Sequence, residues 1–498
     1  MEVLYYLHTM NNILHANYRK KLNKISLALL TIALSFSFLT QPIYADEEVK
    51  EGDPGKLMEA EERRALPIQS NLIDSWPQGP SINAKSAIVM EAETGTILYA
   101  KNINEELYPA STTKIMTCLL AVEGANLNDN IKFSNEAVFS VPHDGSSIGM
   151  DVGQSISLEQ ALYGIMVGSA NEVANAVAEH VSGSIDAFVD LMNKRAADIG
   201  CTNTHFSNTN GLQRADHYTS AYDLALISRQ FFNNELLCKV ANTPRYHFTA
   251  TSTQPDDFYL NNKHKLITGE VSYEGIIGGK TGYTDLAKET LVTCAEKNGM
   301  RLICVVFMED SPEQFTDTVT LFDYAFNNFG AVNIADNDTR YMPDDSLFFE
   351  SDNDVFGKSG TILSLNGSDK VILPKTAKIE DTEYTVSYDL TDEDKKEDPS
   401  AVAKITYTYN KTPVGKALVS YSGQQGSTAN EVHAAKPIFI NVKILLIIAA
   451  AIVLISLFSG SMSTKVTSNR KFSSKSDRIR YKRRKREFKK WRSGSGKF

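Results

Sequence analysis

The chain has 498 residues, 42% of them hydrophobic, which is too long for one ordinary domain and apolar enough for a packed core. Its net charge of −9 hides two opposite compartments: residues 46–442 hold 31 basic and 57 acidic residues, whereas residues 465–498 hold fifteen Lys and Arg and two acids. Five cysteines without paired spacing and nine histidines without a liganding cluster argue against a disulfide framework and a metal site.

Arg19, Lys20, Lys21 and Lys24 precede an apolar run over 25–39, followed by Pro42-Ile43-Tyr44-Ala45 and then acids. That order predicts a secretory signal over 1–45. Residues 46–80 are acidic and broken by Pro and Gly, so a flexible leader is expected there. Two β-runs, 87–90 and 96–100, bracket Glu93-Thr94-Gly95 and predict a hairpin.

Ser111-Thr112-Thr113-Lys114 opens an apolar helix over 115–122. At a spacing of three, Ser111 and Lys114 share one helix face. A serine hydroxyl is a weak nucleophile until a neighbouring base takes its proton, and a lysine amine can do so only if its pKa is lowered. The helix start also offers backbone N–H groups to a developing oxyanion. A helix over 158–167 leads to Ser169-Ala170-Asn171, a hydroxyl and an amide that a loop can aim into one cleft. Amphipathic helices are expected over 171–181, 185–199 and 221–232. Lys280-Thr281-Gly282 follows Gly278-Gly279 in a strand context, a cation and a hydroxyl suited to a carboxylate. Glycine allows close backbone approach, and a strand edge here could pair with an extended peptide. Strands over 289–295 and 301–308 flank Asn298-Gly299, which places Cys294 and Cys304 on opposite faces as free, buried thiols, with Cys118 in the core. A helix over 313–329 closes this part.

Strands at both ends with helices between them predict an α+β domain over 81–333, an antiparallel sheet covered by helices. Short β-runs at 371–373, 384–388, 404–409 and 417–421 predict a small all-β domain over 334–431. Residues 432–460 read as a linker and one transmembrane helix, with 437–459 about long enough to span a bilayer. The basic tail over 461–498 is then cytoplasmic and the rest outside. Its place beyond an apolar span favours anionic lipid as its contact, with no nucleic-acid partner expected.

The three motifs in this order resemble the signature of penicillin-binding proteins and β-lactamases. Over 81–330 the chain resembles the serine-type D-Ala-D-Ala carboxypeptidases, the low-molecular-mass penicillin-binding proteins. Asn203-Thr204-His205-Phe206, Asn210-Gly211-Leu212 and Ser220-Ala221-Tyr222-Asp223-Leu224 add to the likeness. The resemblance implies a β-lactamase/transpeptidase-like fold, a peptidoglycan pentapeptide as substrate, β-lactams as inhibitors, and no cofactor. It implies Ser111 as acylated nucleophile, Lys114 as base, Ser169 as proton shuttle and Asn171 as substrate holder. Lys280, Thr281 and Gly282 would bind the terminal carboxylate and peptide, and the N–H groups of Ser111 and Tyr283 would form the oxyanion hole. Two departures stand out: Lys288 follows Ala287 where relatives have Gly, and residues 311–320 lack the arginine many relatives use. A β-lactamase and an inactive binding protein are the alternatives.

Overall fold

Asn298 and Gly299 sit at φ of 53° and 72° and turn the chain between two ten-residue strands. Both residues tolerate the left-handed conformation that a two-residue hairpin requires. The computed structural model describes residues 58–338, 340 and 363–421, and its main sheet is built on this hairpin. In chain order the strands are β1 (Ser86–Glu91), β2 (Ile97–Lys101), β3 (Asn130–Lys132), β4 (Ser155–Ser157), β5 (Arg245–Phe248), β6 (Phe258–Asn261), β7 (Ile276–Thr284), β8 (Lys288–Lys297) and β9 (Met300–Glu309). Five of them form an antiparallel sheet in the order β2-β1-β9-β8-β7. The β3–β4 and β5–β6 pairs stand apart from it. β7, which carries Lys280-Thr281-Gly282, is therefore an edge strand.

Side chains alternate across this sheet, and both faces are buried. Ile88, Met90, Val292, Cys294, Ile303 and Val305 pack under the helices Lys114–Gly124, Leu158–Met166, Asn171–Ser182, Ile185–Ile199 and Ala221–Phe232. Ala87, Val89, Leu291, Leu302, Cys304 and Val306 face the other way. Cys294 and Cys304 thus lie on opposite faces, and both are free and buried, as is Cys118. Cys201 and Cys238 are also free but only partly buried. The α+β architecture follows the sequence pattern closely.

Three expectations need correction. The second half of the supposed flexible leader is built into the fold: Ala60–Ala65 is helical, Arg63 is buried, and Trp76 is 3% exposed. Its indole packs on Phe329 and Tyr409, and its N–H donates to Leu98 O at 3.0 Å. A composition-based reading discounts one tryptophan in a polar stretch, yet one aromatic side chain can anchor the whole segment. Next, the β-rich part begins earlier than residue 334. β10 (Phe329–Asn333) joins β11 (Leu363–Leu365), β12 (Lys370–Pro374), β13 (Glu383–Ser387), β14 (Ala401–Tyr409) and β15 (Thr412–Tyr421) in one antiparallel sheet. Finally, that sheet has no core of its own. Val371, Ile372, Ile405 and Tyr407 share one hydrophobic cluster with Val89, Leu291 and Val306 beneath the catalytic sheet, around the helix Glu313–Asn328. Lys370 Nζ adds ion pairs to Glu93 at 2.6 Å and Glu91 at 3.3 Å.

No helix among the described residues is long and apolar enough to cross a membrane. The expected signal over 1–45 and the expected span over 437–459 both lie outside the described residues.

Candidate active site

Ser111 lies in a short 3-10 turn, Ala110–Thr113, immediately before the helix Lys114–Gly124. Its neighbour Ala110 takes φ +48°, an uncommon conformation for a residue with a Cβ. The surroundings hold it there. Ser207 N–H donates to His217 Nδ1 at 3.0 Å, so the other ring nitrogen carries the proton and bonds Thr113 Oγ1 at 2.8 Å. Thr113 Oγ1 in turn donates to Ala110 O at 2.9 Å. Burial lowers the pKa of His217 to about 3, so the ring is neutral and its tautomer fixed. From the other side Gly211, at φ +88°, presses so close that a Cβ there would lie 1.8 Å from Ala110 O.

Gly211→Ala is therefore expected to displace the nucleophile turn. A misplacement of about 1 Å costs roughly 10²-fold in rate, and labelling kinetics with a fluorescent penicillin, run beside a thermal melt, would measure it.

The Lys114 amine is fully buried and touches three oxygens: Ser111 Oγ at 3.0 Å, Asn171 Oδ1 at 2.7 Å and Asn210 O at 2.6 Å. Burial drives its pKa well below the usual lysine value, and the charge of Lys280 pushes the same way. A neutral amine has two hydrogens and one lone pair. In that form, with the carbonyl oxygens of Asn171 and Asn210 on its two hydrogens, the amine would turn its lone pair to the Ser111 hydroxyl. This arrangement can activate a serine without a histidine or a metal.

Asn171 is held as firmly. It starts the helix Asn171–Ser182, and its backbone N–H donates to Ser146 O at 2.9 Å. One turn along, Asn175 Oδ1 accepts from Thr209 Oγ1 at 2.6 Å and Asn210 Nδ2 at 3.2 Å, which fixes the carbonyl that Lys114 uses. Ser169 stands just before the helix, 4% exposed and at φ +57°.

β7 forms the opposite wall. Gly282 lies against the nucleophile turn: a Cβ there would be 2.9 Å from Ser111 N and 2.3 Å from Thr290 Oγ1. Lys280 is 2% exposed, donates to Thr281 O at 2.8 Å, and is brought down to a pKa of about 7 by burial. The exposed Lys263 exerts the largest charge effect on it. Behind this strand the buried His264 packs so tightly on Gly279 that a Cβ would meet its Nε2 at 2.5 Å. Tyr283 is 56% exposed, and Thr284 Oγ1 donates to Gln213 Oε1 at 2.9 Å.

Of the eight residues singled out from sequence, Ser111, Lys114, Asn171 and Gly282 are in direct contact and Lys280 acts on Lys114 by its charge, while Thr281 and Tyr283 flank Gly282 on β7 and Ser169 stands two residues before Asn171. Sequence reasoning missed the Asn210 carbonyl, His217 and Lys263. A backbone carbonyl, a lone buried histidine and an exposed lysine carry no motif that singles them out in a sequence. Among the described residues no group of three or more His, Cys, Asp or Glu is placed to hold a metal.

Comparison with known proteins agrees with this geometry. The profile of a family described as D-alanyl-D-alanine carboxypeptidase, peptidase S11, matches residues 74–311. The chain is similar to the D-alanyl-D-alanine carboxypeptidase DacF of Bacillus subtilis, 38% identical over 252 residues that cover 49% of this chain and 63% of that protein. A D-alanyl-D-alanine carboxypeptidase of Streptomyces sp. strain K15 is 31% identical over 258 residues, covering 50% of this chain and 88% of that one. A crystal structure of penicillin binding protein 5 from Haemophilus influenzae shares the fold, with a TM-score of 0.53 at 23% identity over 69% of this chain and 98% of that one. With the serine, lysine, asparagine and Lys-Thr-Gly strand assembled in one cleft and a relative matched over most of its length, the chain belongs to the peptidase S11 family of D-alanyl-D-alanine carboxypeptidases, which are serine hydrolases.

Proposed function

We propose that the protein removes the terminal D-alanine from peptidoglycan stem peptides through an acyl-enzyme on Ser111. The observation that carries this reading is the buried Lys114 amine, pinned by two carbonyl oxygens with its third neighbour the Ser111 hydroxyl. Lys114 takes the Ser111 proton as Oγ attacks the penultimate carbonyl carbon. The oxyanion forms beside Ser111 N and β7, where the Tyr283 N–H is the second donor. Ser169 passes the proton to the departing D-alanine amine, Asn171 orients the peptide amide, and Lys280 with Thr281 binds the free carboxylate. Water then opens the ester. A β-lactam presents a similar carbonyl and carboxylate, and its ring-opened ester stays attached.

Intact-mass analysis tests the reading. A stable penicillin adduct together with D-alanine release from a D-Ala-D-Ala peptide is the expected outcome. Rapid penicillin turnover would point to a β-lactamase, and absence of an adduct to a binding protein.

The same proposal places the enzyme outside the cell membrane, exported by residues 1–45 and tethered by 437–459, with the basic tail inside on anionic lipid. The charge asymmetry and the apolar run support it. Deletion of residues 437–498 is expected to release a soluble enzyme with unchanged kcat/KM on a soluble peptide, measured after cell fractionation. A truncated protein that folds without activity would show that this segment does more than tether.

A further inference from the structure

Glu172 follows Asn171 on the helix Asn171–Ser182 and is 2% exposed. Its Oε1 accepts the Ile148 N–H at 2.8 Å, while Oε2 is buried and has no hydrogen-bond partner among the described residues. A buried carboxylate with one oxygen unpartnered is costly unless a nearby cation compensates. Lys114 is bonded to the preceding residue, Asn171, and the charge of Glu172 acts on it against those of Lys280 and Lys263. The Cys118 thiol, one turn along the helix, and neutral His217 are the other titratable groups near Lys114. The loop that Glu172 holds also carries His143 and Asp144, both exposed.

We propose that Glu172 is a positioning residue for acylation: its buried carboxylate stands next to Asn171, which holds the Lys114 amine, and its Oε1 fastens the 146–148 loop beside them. In the step it serves, Ser111 Oγ bonds the substrate carbonyl carbon and the hydroxyl proton passes to Lys114 Nζ. Glu172 gains and loses no proton. This inference rests on the acyl-enzyme reading given above.

The second-order rate of acylation by benzylpenicillin, followed against pH, separates the two ideas. If the wild-type protein forms no adduct, the acyl-enzyme reading itself fails. If it does, the rate rises with pH as Lys114 becomes neutral, up to a plateau that ends above about pH 7, where Lys280 loses the charge that binds the penicillin carboxylate. Glu172→Gln keeps an oxygen for the Ile148 N–H but removes the charge. Its rising limb is expected at lower pH, with a plateau severalfold lower because a weaker base removes the proton. Glu172→Asp keeps the charge on a shorter stem, so its limb should stay near the wild-type position even if its plateau falls. Equal loss at every pH in Glu172→Gln, with the limb unmoved, would overturn the proposal and leave a purely structural residue. If Glu172→Gln does not fold, Glu172→Asp still decides: a limb displaced to lower pH despite the retained charge overturns the proposal.

Discussion

Ser111→Ala is expected to abolish both covalent penicillin labelling and D-alanine release, because it removes the hydroxyl that the Lys114 amine contacts. Of the three oxygens that the Lys114 amine contacts among the described residues, only that of Ser111 is a hydroxyl, so no neighbouring serine can substitute within the same hydrogen-bond geometry. Lys114→Ala should retain slow acylation, since the oxyanion donors and the carboxylate site remain. The loss expected is about 10²–10⁴-fold, the usual contribution of general-base help. Mass spectrometry for the adduct and an amino-acid assay for D-alanine check both variants. Undiminished labelling in Ser111→Ala would refute the assignment.

The carboxylate end of the cleft carries the second large effect. Thr281→Val removes one hydroxyl from a half-buried position on β7. Loss of a hydrogen bond to a charged group removes about 1.5–3 kcal/mol, or roughly ten- to over a hundredfold in kcat/KM. The variant should show that loss on a peptide ending in free D-Ala-D-Ala and almost none on its C-terminal amide. Lys280 adds a pH signature. With a pKa of about 7 in the free enzyme, it is charged below neutrality and loses its charge as pH rises through that value. The kcat/KM for the free acid should therefore decline above about pH 7, whereas the amide should not follow it. Bound carboxylate stabilises the charged amine, so the corresponding limb of kcat should lie at higher pH. Equal losses on both substrates would mean that Thr281 supports the fold.

Much of this site was legible in the chain because its parts are local. Ser111 and Lys114 are joined by helical spacing, Ser169 and Asn171 by one turn, and Lys280 to Tyr283 by one strand. The Asn298-Gly299 hairpin was equally local, and it fixed the faces of Cys294 and Cys304. What the sequence hid depends on contacts between distant segments. The 311–320 stretch lacks a cation, as read, but Lys263 brings one to Lys280 from the segment after β6. The Asn210 carbonyl has no side-chain signature, since every residue has one, and only the fold decides which of them faces an amine. Trp76 and β10 were misjudged for the same reason. Trp76 is covered by Phe329 and Tyr409 and β10 pairs with Lys370–Pro374, and no periodicity within either segment announces these partners.

The hydrophobic layer shared by the two sheets also limits how the protein can be divided. Cutting after residue 333 would leave Val89, Leu291, Cys304 and Val306, which now meet the β-rich sheet's layer, facing water over part of their surface. The β-rich sheet is thus half of a core and cannot be treated as an exchangeable appendage. A graft of this catalytic unit onto another support would have to carry residues through Tyr421, or replace the Val371, Ile405 and Tyr407 contacts with an equally apolar surface. Through that layer the support also bears on the cleft's architecture, because Leu291 on β8 pairs directly with Thr281 on β7. The strand that carries Lys280-Thr281-Gly282 is held from below by residues that a motif search would assign to another domain.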